Sequence, residues 1–377
     1  MKVSSFRRDC NLILLILLLN LSIFCTASSN QCSDSVGDCK NNIMWAATFS
    51  GFGEPTSVIS FSNDFPKPLP SDNEVLIELE ARPVNPSDLM YIRGFFEVNP
   101  SPPPFPRVPG AEGAGVIEAV GKDVTDFQVG NRVAFWHGYE TRMGTWAEYT
   151  VVPSNYLVPV PEGMEYEDAA QLVLNPLTMI GILEQFGNMQ PGEWLIQNAA
   201  NSACGKFIVQ YLKQQGIRTI NIVRHSESVD SLKALGADEV IALDADNLKA
   251  RVMEITGGQG PKYGIDCVWG HGAIADLVDT LSVNGKVVTF GALGGPEANL
   301  EISPLLFQMR SIQGFAVTTY RNSLTKDRVI KILSKVADQI KTGKVLLPSE
   351  HFVPRKILDA ISHAETPKKQ SKTIILG

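Results

Sequence analysis

The stretch Gln197-Asn198-Ala199-Ala200-Asn201-Ser202-Ala203-Cys204-Gly205 decides the fold. It joins a predicted strand, Trp194 to Gln197, to a predicted helix over residues 206–215 that ends at Gly216. Small residues at such a turn let the backbone approach a pyrophosphate, which then lies on the N–H groups that open the helix. Against the G-x-G-x-x-G pattern, Ala200 and Ser202 replace the first two glycines and only Gly205 remains, so taken alone the stretch also fits an ordinary tight turn.

The sequence beyond this turn continues as strands and helices in alternation. Further strands are predicted over residues 219–223, 239–243, 265–268 and 286–290, and a helix that includes residues 231–235 ends at Gly236. Parallel neighbouring strands need a crossover connection, so this alternation predicts a doubly wound parallel sheet. We therefore predict an α/β protein with a dinucleotide-binding Rossmann domain over residues 171–319.

The end of the second strand in this series indicates which nicotinamide dinucleotide is bound. It reads Ile222-Val223-Arg224-His225-Ser226, with no carboxylate before Glu227. An NAD enzyme usually places an acidic residue there for the ribose 2′-hydroxyl, whereas a basic residue accommodates a 2′-phosphate. We predict NADPH, with Arg224 as the phosphate partner and His225 and Ser226 beside it.

The part of the chain before the Rossmann domain, the chain length and the net charge further restrict the possible folds and functions. Strands over residues 75–79 and 115–121, separated by a Pro-rich loop at 100–109, predict a β-barrel-like domain before the Rossmann domain. A length of 377 residues is too great for one ordinary core and favours two domains. The net charge of -7, without a stripe of Lys and Arg, argues against nucleic-acid binding.

The first 27 residues have the character of a cleavable secretory signal peptide. Lys2, Arg7 and Arg8 precede an apolar run, and Cys25-Thr26-Ala27 supplies small residues for cleavage. An uncleaved anchor or a mitochondrial presequence fits less well, and no stable membrane span is expected after cleavage. Residues 28–43 are predicted to be a linker, where Cys32 and Cys39 form a disulfide or stay unpaired.

Four motifs carry a resemblance to a known family, which extends over about residues 44–377. With the stretch Pro109-Gly110-Ala111-Glu112-Gly113-Ala114-Gly115, the chain resembles the medium-chain dehydrogenase/reductase superfamily. With Asn85-Pro86-Ser87-Asp88, Asn175-Pro176-Leu177-Thr178 and the turn from Gln197, it resembles within that superfamily the mitochondrial trans-2-enoyl thioester reductases, with the quinone and alkenal reductases as near relatives. That resemblance implies a GroES-like catalytic domain over residues 44–170 and 320–377.

The same resemblance implies which residues line the NADPH site. They are Asn175, Asn201, Ser202, Ala203, Cys204, Gly205, Arg224, His225, Ser226, Phe290, Gly291, Ala292, Leu293, Phe315, Ala316, Val317 and Lys372. Phe290 and Phe315 would serve equally as core aromatics, and Lys372 as an exposed terminal charge.

No metal is predicted. In the zinc alcohol dehydrogenases of this superfamily a Cys precedes the Ser-Asp pair and a His precedes the Glu of the Gly-Glu stretch. Here Asn85-Pro86 and Ala111 stand at those places, and the five histidines show no ligand spacing.

The predicted catalytic groups depart from the family pattern. Phe96 stands where the enoyl reductases carry a tyrosine, and phenylalanine has no hydrogen-bond donor. Tyr91 is the nearest alternative phenol and is predicted to be catalytic, although it would fit equally as an aromatic side chain at a domain edge. Thr178 is the second predicted catalytic residue because its hydroxyl can donate a hydrogen bond, although it would also fit as the cap of a helix.

Three functions stay open at this stage. The first is NADPH-dependent reduction of trans-2-enoyl thioesters, carried on coenzyme A or an acyl carrier protein. The second is a quinone or alkenal reductase, because the segment Tyr91-Ile92-Arg93-Gly94 resembles that of the quinone reductases more than that of the enoyl reductases. The third is an NADPH-binding protein without activity. The relatives imply a homodimer. The leader predicts a location in the secretory pathway, whereas the family resemblance implies a mitochondrion or another organelle.

Overall fold

The computed structural model describes residues 42–95, 104–139, 141–367 and 370–377. The predicted leader, Cys32, Cys39 and Phe96 lie outside these ranges. The strands are β1 (Ile43–Phe49), β2 (Ile59–Pro66), β3 (Glu74–Pro83), β4 (Glu112–Val120), β5 (Arg132–Trp136), β6 (Tyr149–Pro153), β7 (Leu157–Pro159), β8 (Trp194–Gln197), β9 (Arg218–Val223), β10 (Glu239–Ala242), β11 (Tyr263–Asp266), β12 (Lys286–Thr289), β13 (Ser311–Gly314), β14 (Ser349–Phe352) and β15 (Lys372–Leu376).

The helices vary from single turns to one of 16 residues. They are α1 (Pro55–Val58), α2 (Pro86–Ile92), α3 (Tyr166–Ala169), α4 (Leu174–Gln185), α5 (Ala203–Lys213), α6 (Val229–Leu235), α7 (Leu248–Ile255), α8 (Ala273–Thr280), α9 (Ile302–Phe307), α10 (Val317–Asn322), α11 (Lys326–Lys341) and α12 (Ile357–Glu365).

A six-stranded parallel sheet forms the middle of the chain. Its strand order is β10-β9-β8-β11-β12-β13, so the sheet is wound outward in both directions from β8 and β11. In such sheets ligands bind at the carboxyl ends of the strands, where the strand order reverses. This topology confirms the predicted doubly wound sheet and directs attention to the turn after β8.

A second, seven-stranded sheet is built from both ends of the described chain. Its order is β14-β15-β3-β4-β5-β7, with β6 paired to β3. β15 runs antiparallel to β3, so the last residues of the chain complete a sheet that begins far upstream. β4 lies so close to β3 that a Cβ on Gly115 would meet the carbonyl oxygen of Glu78. The β-rich domain predicted before the Rossmann sheet is therefore present, and β14 and β15 extend it.

The predicted elements differ from the observed ones mainly at their ends. Helix α5 begins at Ala203 rather than residue 206, because the Ser202 hydroxyl caps it by accepting the Gly205 N–H at 3.1 Å. Strand β11 ends at Asp266 rather than residue 268, because the Asp266 carboxylate accepts the N–H groups of Val268 and Trp269 and turns the chain out of the sheet.

The largest apolar cluster lies where the two sheets adjoin helices α4, α5 and α11. It includes Leu177 of α4, Phe207 of α5 and Leu333 of α11, all almost completely buried. This packing fixes α4, which comes after β7 and α3 in the chain, against the cofactor-domain helix α5. No helix in the described ranges has the length and apolar character to cross a bilayer.

Candidate active site

A cleft of about 1200 Å³ lies at the carboxyl ends of the parallel strands. It is larger than a common small-molecule pocket of about 300–1,000 Å³. One wall comes from the turns after β8, β11, β12 and β13, and the facing wall from α2 and the segment after β5. The cleft brings together most of the residues predicted for the cofactor site: Asn175, Asn201, Ser202, Ala203, Cys204, Phe290, Gly291, Ala292, Leu293, Phe315, Ala316, Val317 and Lys372.

The turn after β8 leads tightly from the strand into a helix. Ala199 adopts a left-handed backbone with φ of 47°, and helix α5 opens directly behind it at the cleft wall. Gly205 does not line the cleft but lies against the turn: a Cβ there would be 2.5 Å from the carbonyl oxygen of Ala200. It therefore acts as the third glycine of the pattern, which permits close packing of helix and strand.

A buried carboxylate, which the sequence reasoning missed, organises the neighbouring loop. Asp266 is fully buried at the end of β11, and its Oδ1 accepts the side-chain N–H of Asn198 at 2.5 Å. Its Oδ2 accepts the Thr289 hydroxyl at 2.7 Å. The Asn198 oxygen in turn accepts the Cys267 N–H at 2.8 Å. These bonds tie the carboxyl ends of β8, β11 and β12 together and place Trp269 in the cleft wall.

The predicted phosphate partners lie beyond the lining of the cleft, at the end of β9. Arg224 is exposed, and its Nη2 donates to the carbonyl oxygen of Pro367 at 3.2 Å. His225 Nδ1 lies 3.4 Å from an oxygen of Asp244, and the Ser226 N–H donates to the same carboxylate at 3.1 Å. Asp244, from just after β10, is an acidic neighbour that the linear sequence did not place here.

Asn85 and Lys372, which line the cleft, belong to a cluster of buried polar groups. Asn85 caps helix α2, and its N–H donates to Asp88 Oδ2 at 2.7 Å. The Asn85 side chain also donates to Glu112 Oε2 at 3.0 Å and accepts from Lys372 Nζ at 2.5 Å. The second Glu112 oxygen accepts the N–H of Leu174 at 2.7 Å, where α4 begins. We call Asn85, Asp88, Glu112 and Lys372 the inner cluster.

Burial changes the acidity of every charged group in the inner cluster. Removal from water raises the pKa of Asp88 to about 6 and that of Glu112 to about 7, although hydrogen bonds and Lys372 oppose the shift. Burial lowers the pKa of Lys372, and the negative charges of Glu112 and Asp88 oppose this decrease. The alternative prediction for Lys372, an exposed charge near the end of the chain, is wrong: the residue is buried, with 8% of its surface exposed, and lines the cleft.

The two residues proposed as catalytic groups have different positions. Thr178 lines the cleft, but its hydroxyl donates to the carbonyl oxygen of Leu174 at 2.7 Å, within helix α4. Tyr91 is 7% exposed and lies outside the cleft lining. Its ring stacks on Tyr139 at 4.7 Å between centroids, and it is Tyr139 that lines the cleft.

Cys204 and Asn175 meet at the cleft wall between α5 and α4. The thiol donates to Asn175 Oδ1 at 3.3 Å, and burial raises the pKa of Cys204 to about 12. The thiol therefore stays protonated at neutral pH. Within the described ranges, no group of three or more His, Cys, Asp or Glu side chains is placed to hold a metal ion.

Comparison with known proteins agrees with this geometry. The family description "Alcohol dehydrogenase GroES-like domain" matches residues 71–162, and "Zinc-binding dehydrogenase" matches residues 203–335. The chain is 30% identical to the mitochondrial enoyl-[acyl-carrier-protein] reductase of Xenopus tropicalis, over 86% of this chain and 93% of the relative. It is 29% identical to the Homo sapiens enzyme of the same name, over 88% of each chain.

Solved structures give the same architecture. A quinone oxidoreductase of Pseudomonas syringae pv. Tomato DC3000 is 28% identical with a TM-score of 0.80, over 89% of this chain and 100% of that one. A putative NADPH:quinone reductase from Bacillus thuringiensis is 27% identical with a TM-score of 0.79, over 89% of this chain and 99% of that one. The chain therefore belongs to the medium-chain dehydrogenase/reductase superfamily and is an oxidoreductase with a GroES-like and a Rossmann domain.

Proposed function

We propose that this chain reduces the 2,3 double bond of trans-2-enoyl thioesters, using NADPH. The observation that carries the proposal is a continuous cleft, lined by the glycine-poor turn after β8 and by Asn85 and Lys372 of the inner cluster. It offers one continuous volume of about 1200 Å³ to a dinucleotide and an acyl group. The enoyl reductase relatives, matched over most of their length, support the thioester as substrate.

NADPH is the cofactor, and the residues of the turn fit it. Asn201, Ser202 and Ala203 would hold the pyrophosphate against the start of α5, and Arg224 would meet the 2′-phosphate. Phe290 to Leu293 and Phe315 to Val317 would enclose the nicotinamide half. When bound, NADPH supplies the hydride that a carbon–carbon double bond takes up.

The chain's own residues can bind and polarise a thioester. The aromatic and aliphatic lining on the facing wall and at the cleft mouth suits an acyl chain; it includes Met90, Trp136, Leu346 and Leu347. Asn85 and Lys372 line the cleft near α2 and would be the hydrogen-bond donors to charge that develops on the thioester oxygen; preorganised donors stabilise an enolate strongly. Arg321, which lies over the Tyr156 ring at 4.4 Å, adds a positive charge to the lining.

A quinone or alkenal acceptor is the second candidate, favoured by the names of the solved relatives. The segment Tyr91-Ile92-Arg93-Gly94, which suggested a quinone acceptor, makes contacts that stabilise the fold. Arg93 pairs with Glu54 at 2.8 Å and with Glu365 at 2.6 Å, and Tyr91 packs beneath Tyr139. The Tyr91-Ile92-Arg93-Gly94 segment therefore gives no independent support to a quinone substrate.

We further propose that the protein works in an organelle and as a homodimer. The enoyl reductase relatives are named mitochondrial, which favours the organelle over the secretory pathway. Helix α9, which precedes the edge strand β13 in the chain, carries the exposed apolar side chains Ile302, Leu306 and Phe307. A second copy of the chain would cover them. Mass spectrometry of the mature N-terminus and light scattering test these two points.

An acceptor panel tests the reaction itself. The purified full chain is mixed with NADPH and, in turn, crotonyl-coenzyme A, an enoyl group on an acyl carrier protein, an ortho-quinone and a 2-alkenal. We expect NADPH oxidation with the enoyl thioesters and the saturated thioester as product. Turnover with quinone or alkenal alone would establish the second candidate. NADPH binding without turnover of any acceptor would identify a non-catalytic binding protein.

A further inference from the structure

The loops that follow β9 and β10 leave the parallel sheet side by side. Val223 lies opposite Ala242, and the N–H of Leu243 continues the ladder by donating to the carbonyl oxygen of Val223 at 3.0 Å. Arg224 directly follows β9, and Asp244 lies just beyond the end of β10. In a Rossmann domain the carboxyl end of the second strand, here β9, faces the adenosine ribose of the dinucleotide. Groups of both charges therefore lie at the ribose end of the cofactor site.

Asp244 makes its contacts with the loop after β9. Both of its carboxylate oxygens accept the N–H of Ser226, at 3.1 and 3.2 Å, and Oδ2 lies 3.4 Å from Nδ1 of His225. These contacts hold the carboxylate against the two residues that follow Arg224. The side chain keeps 40% of its surface exposed, so a bound ligand can reach it. Asp244 is therefore fixed in position and open to a ligand.

A carboxylate at this position has opposite effects on the two nicotinamide dinucleotides. The ribose of NADH carries a 2′-hydroxyl, which donates a hydrogen bond to the acidic residue of NAD enzymes. The ribose of NADPH carries a 2′-phosphate, which a nearby negative charge repels and which would compete with Asp244 for the N–H of Ser226. Arg224 acts the other way, because a guanidinium attracts a phosphate. The balance of the two side chains therefore sets the preference of the site.

We propose that Asp244 is a specificity-determining residue, through which this chain binds NADH as well as NADPH. Arg224 favours the phosphate and Asp244 favours the hydroxyl, so the wild type should prefer NADPH by about 10-fold or less. The acidic residue of NAD enzymes usually follows the second strand, whereas here it follows the third, β10. The proposal goes beyond the proposed reaction, because it concerns the cofactor and holds for an enoyl thioester or a quinone acceptor.

The variant Asp244→Asn removes the charge and keeps a side-chain oxygen for the N–H of Ser226. We expect the dissociation constant of NADPH to fall by about 10-fold, because the repulsion is lost. That of NADH should rise by about 3-fold or more, because a hydroxyl bonds more strongly to a carboxylate than to an amide. Loss of a merely structural residue would weaken both dinucleotides. Changes of opposite sign are therefore the signature of a specificity role.

The variant Asp246→Asn is the matched control, with the same substitution two residues further along. Asp246 Oδ2 accepts the N–H of Ala242 at 3.1 Å. Because the next N–H along the strand, that of Leu243, donates to β9, the N–H of Ala242 points to the other side of β10, the edge of the sheet. We expect both dissociation constants in this variant to stay within about 3-fold of the wild type.

Two adenosine fragments test the ribose end without the nicotinamide. Adenosine 2′,5′-bisphosphate and adenosine 5′-monophosphate differ only in the 2′-phosphate. Titration calorimetry of the purified full chain, with no acceptor present, measures both dissociation constants, and circular dichroism checks that each variant is folded. In Asp244→Asn the bisphosphate should bind about 10-fold more tightly and the monophosphate more weakly, whereas Asp246→Asn should match the wild type.

The outcomes separate this proposal from the proposed function. A wild-type preference for NADPH above about 10-fold, or no gain in NADPH and bisphosphate affinity in Asp244→Asn, would overturn the role of Asp244 and leave the proposed reaction intact. Failure of the wild type to reduce enoyl thioesters in the acceptor panel would overturn the proposed reaction and leave the role of Asp244 intact, because the binding measurements need no acceptor.

Discussion

Lys372 Nζ lies 2.5 Å from Oδ1 of Asn85, although 287 residues separate them in the chain. The contact ties the last strand, β15, to the cap of helix α2 at the cleft. It places the one cation of the inner cluster beside the carboxylates of Asp88 and Glu112. Strand β15 therefore contributes a side chain to the lining of the cleft.

Removal of this cation should destabilise the fold. Lys372→Met leaves the buried Oδ1 of Asn85 without its Nζ donor and removes the positive charge that lowers the pKa values of Asp88 and Glu112; an unsatisfied buried acceptor costs about 1–3 kcal/mol. Urea unfolding of the full chain measures the change in the free energy of unfolding. Lys341→Met, at an exposed helix end, is the control. A Lys372→Met protein as stable as the control would show that the cluster does not depend on the charge.

Enlargement of Gly205 should disturb the cofactor turn from behind. In Gly205→Ala the new methyl group would meet the carbonyl oxygen of Ala200 at 2.5 Å, and such overpacking costs about 1–3 kcal/mol. We expect lower thermal stability and weaker NADPH binding. Gly51→Ala, where a Cβ meets no atom within 4 Å, is the matched control. Unchanged NADPH affinity in Gly205→Ala would remove this glycine from the cofactor site.

Arg224 should select NADPH over NADH. Arg224→Asp removes a charge-assisted hydrogen bond to the 2′-phosphate, which corresponds to a loss of about 10- to 100-fold in NADPH affinity. NADH binding should stay within about 3-fold of the wild type. Arg218→Ala, at the opposite end of β9, serves as the control in the same fluorescence titrations. Equal loss of both dinucleotides would mean that Arg224 supports the fold instead.

The pH dependence of stability should carry the signature of Glu112. Its pKa is raised from 4.5 to about 7 on folding, so the folded protein binds the proton more tightly than the unfolded chain. The stabilising contribution is complete below about pH 4.5 and is lost as pH rises through about 7. Glu112→Gln should abolish this slope. As pH rises from about 4.5 to about 7, the free energy of unfolding of the variant should therefore increase relative to that of the wild type. Parallel unfolding profiles for the two proteins would exclude the shift.

The sequence predicted the parallel sheet well because its strands and helices are local patterns, and Gly216 and Gly236 mark the ends of two of the helices. Gly236 ends α6 in a left-handed conformation, as the sequence indicated. The turn at residues 197–205 was likewise visible, because small residues at a strand end have a local meaning. Strand and helix ends were less accurate, since side-chain caps such as Ser202 and Asp266 decide them.

The inner cluster could not be predicted from local patterns. Asn85, Glu112 and Lys372 come from three segments that only the β-rich sheet and the return of β15 bring together. Asp266 and Asp244 are missed for the same reason, because each acts on a neighbouring strand end. Tyr139 carries no motif, and its stacking on Tyr91 and its bond to Asp88 are visible only in the structure.

Titration calorimetry of the purified full chain with NADPH tests the central claim most directly, namely that the turn after β8 holds this dinucleotide. We expect saturable binding at one site per chain, tighter for NADPH than for NADH, and weakened in Gly205→Ala. Absence of any heat of binding with either dinucleotide, for a protein that circular dichroism shows to be folded, would contradict the account.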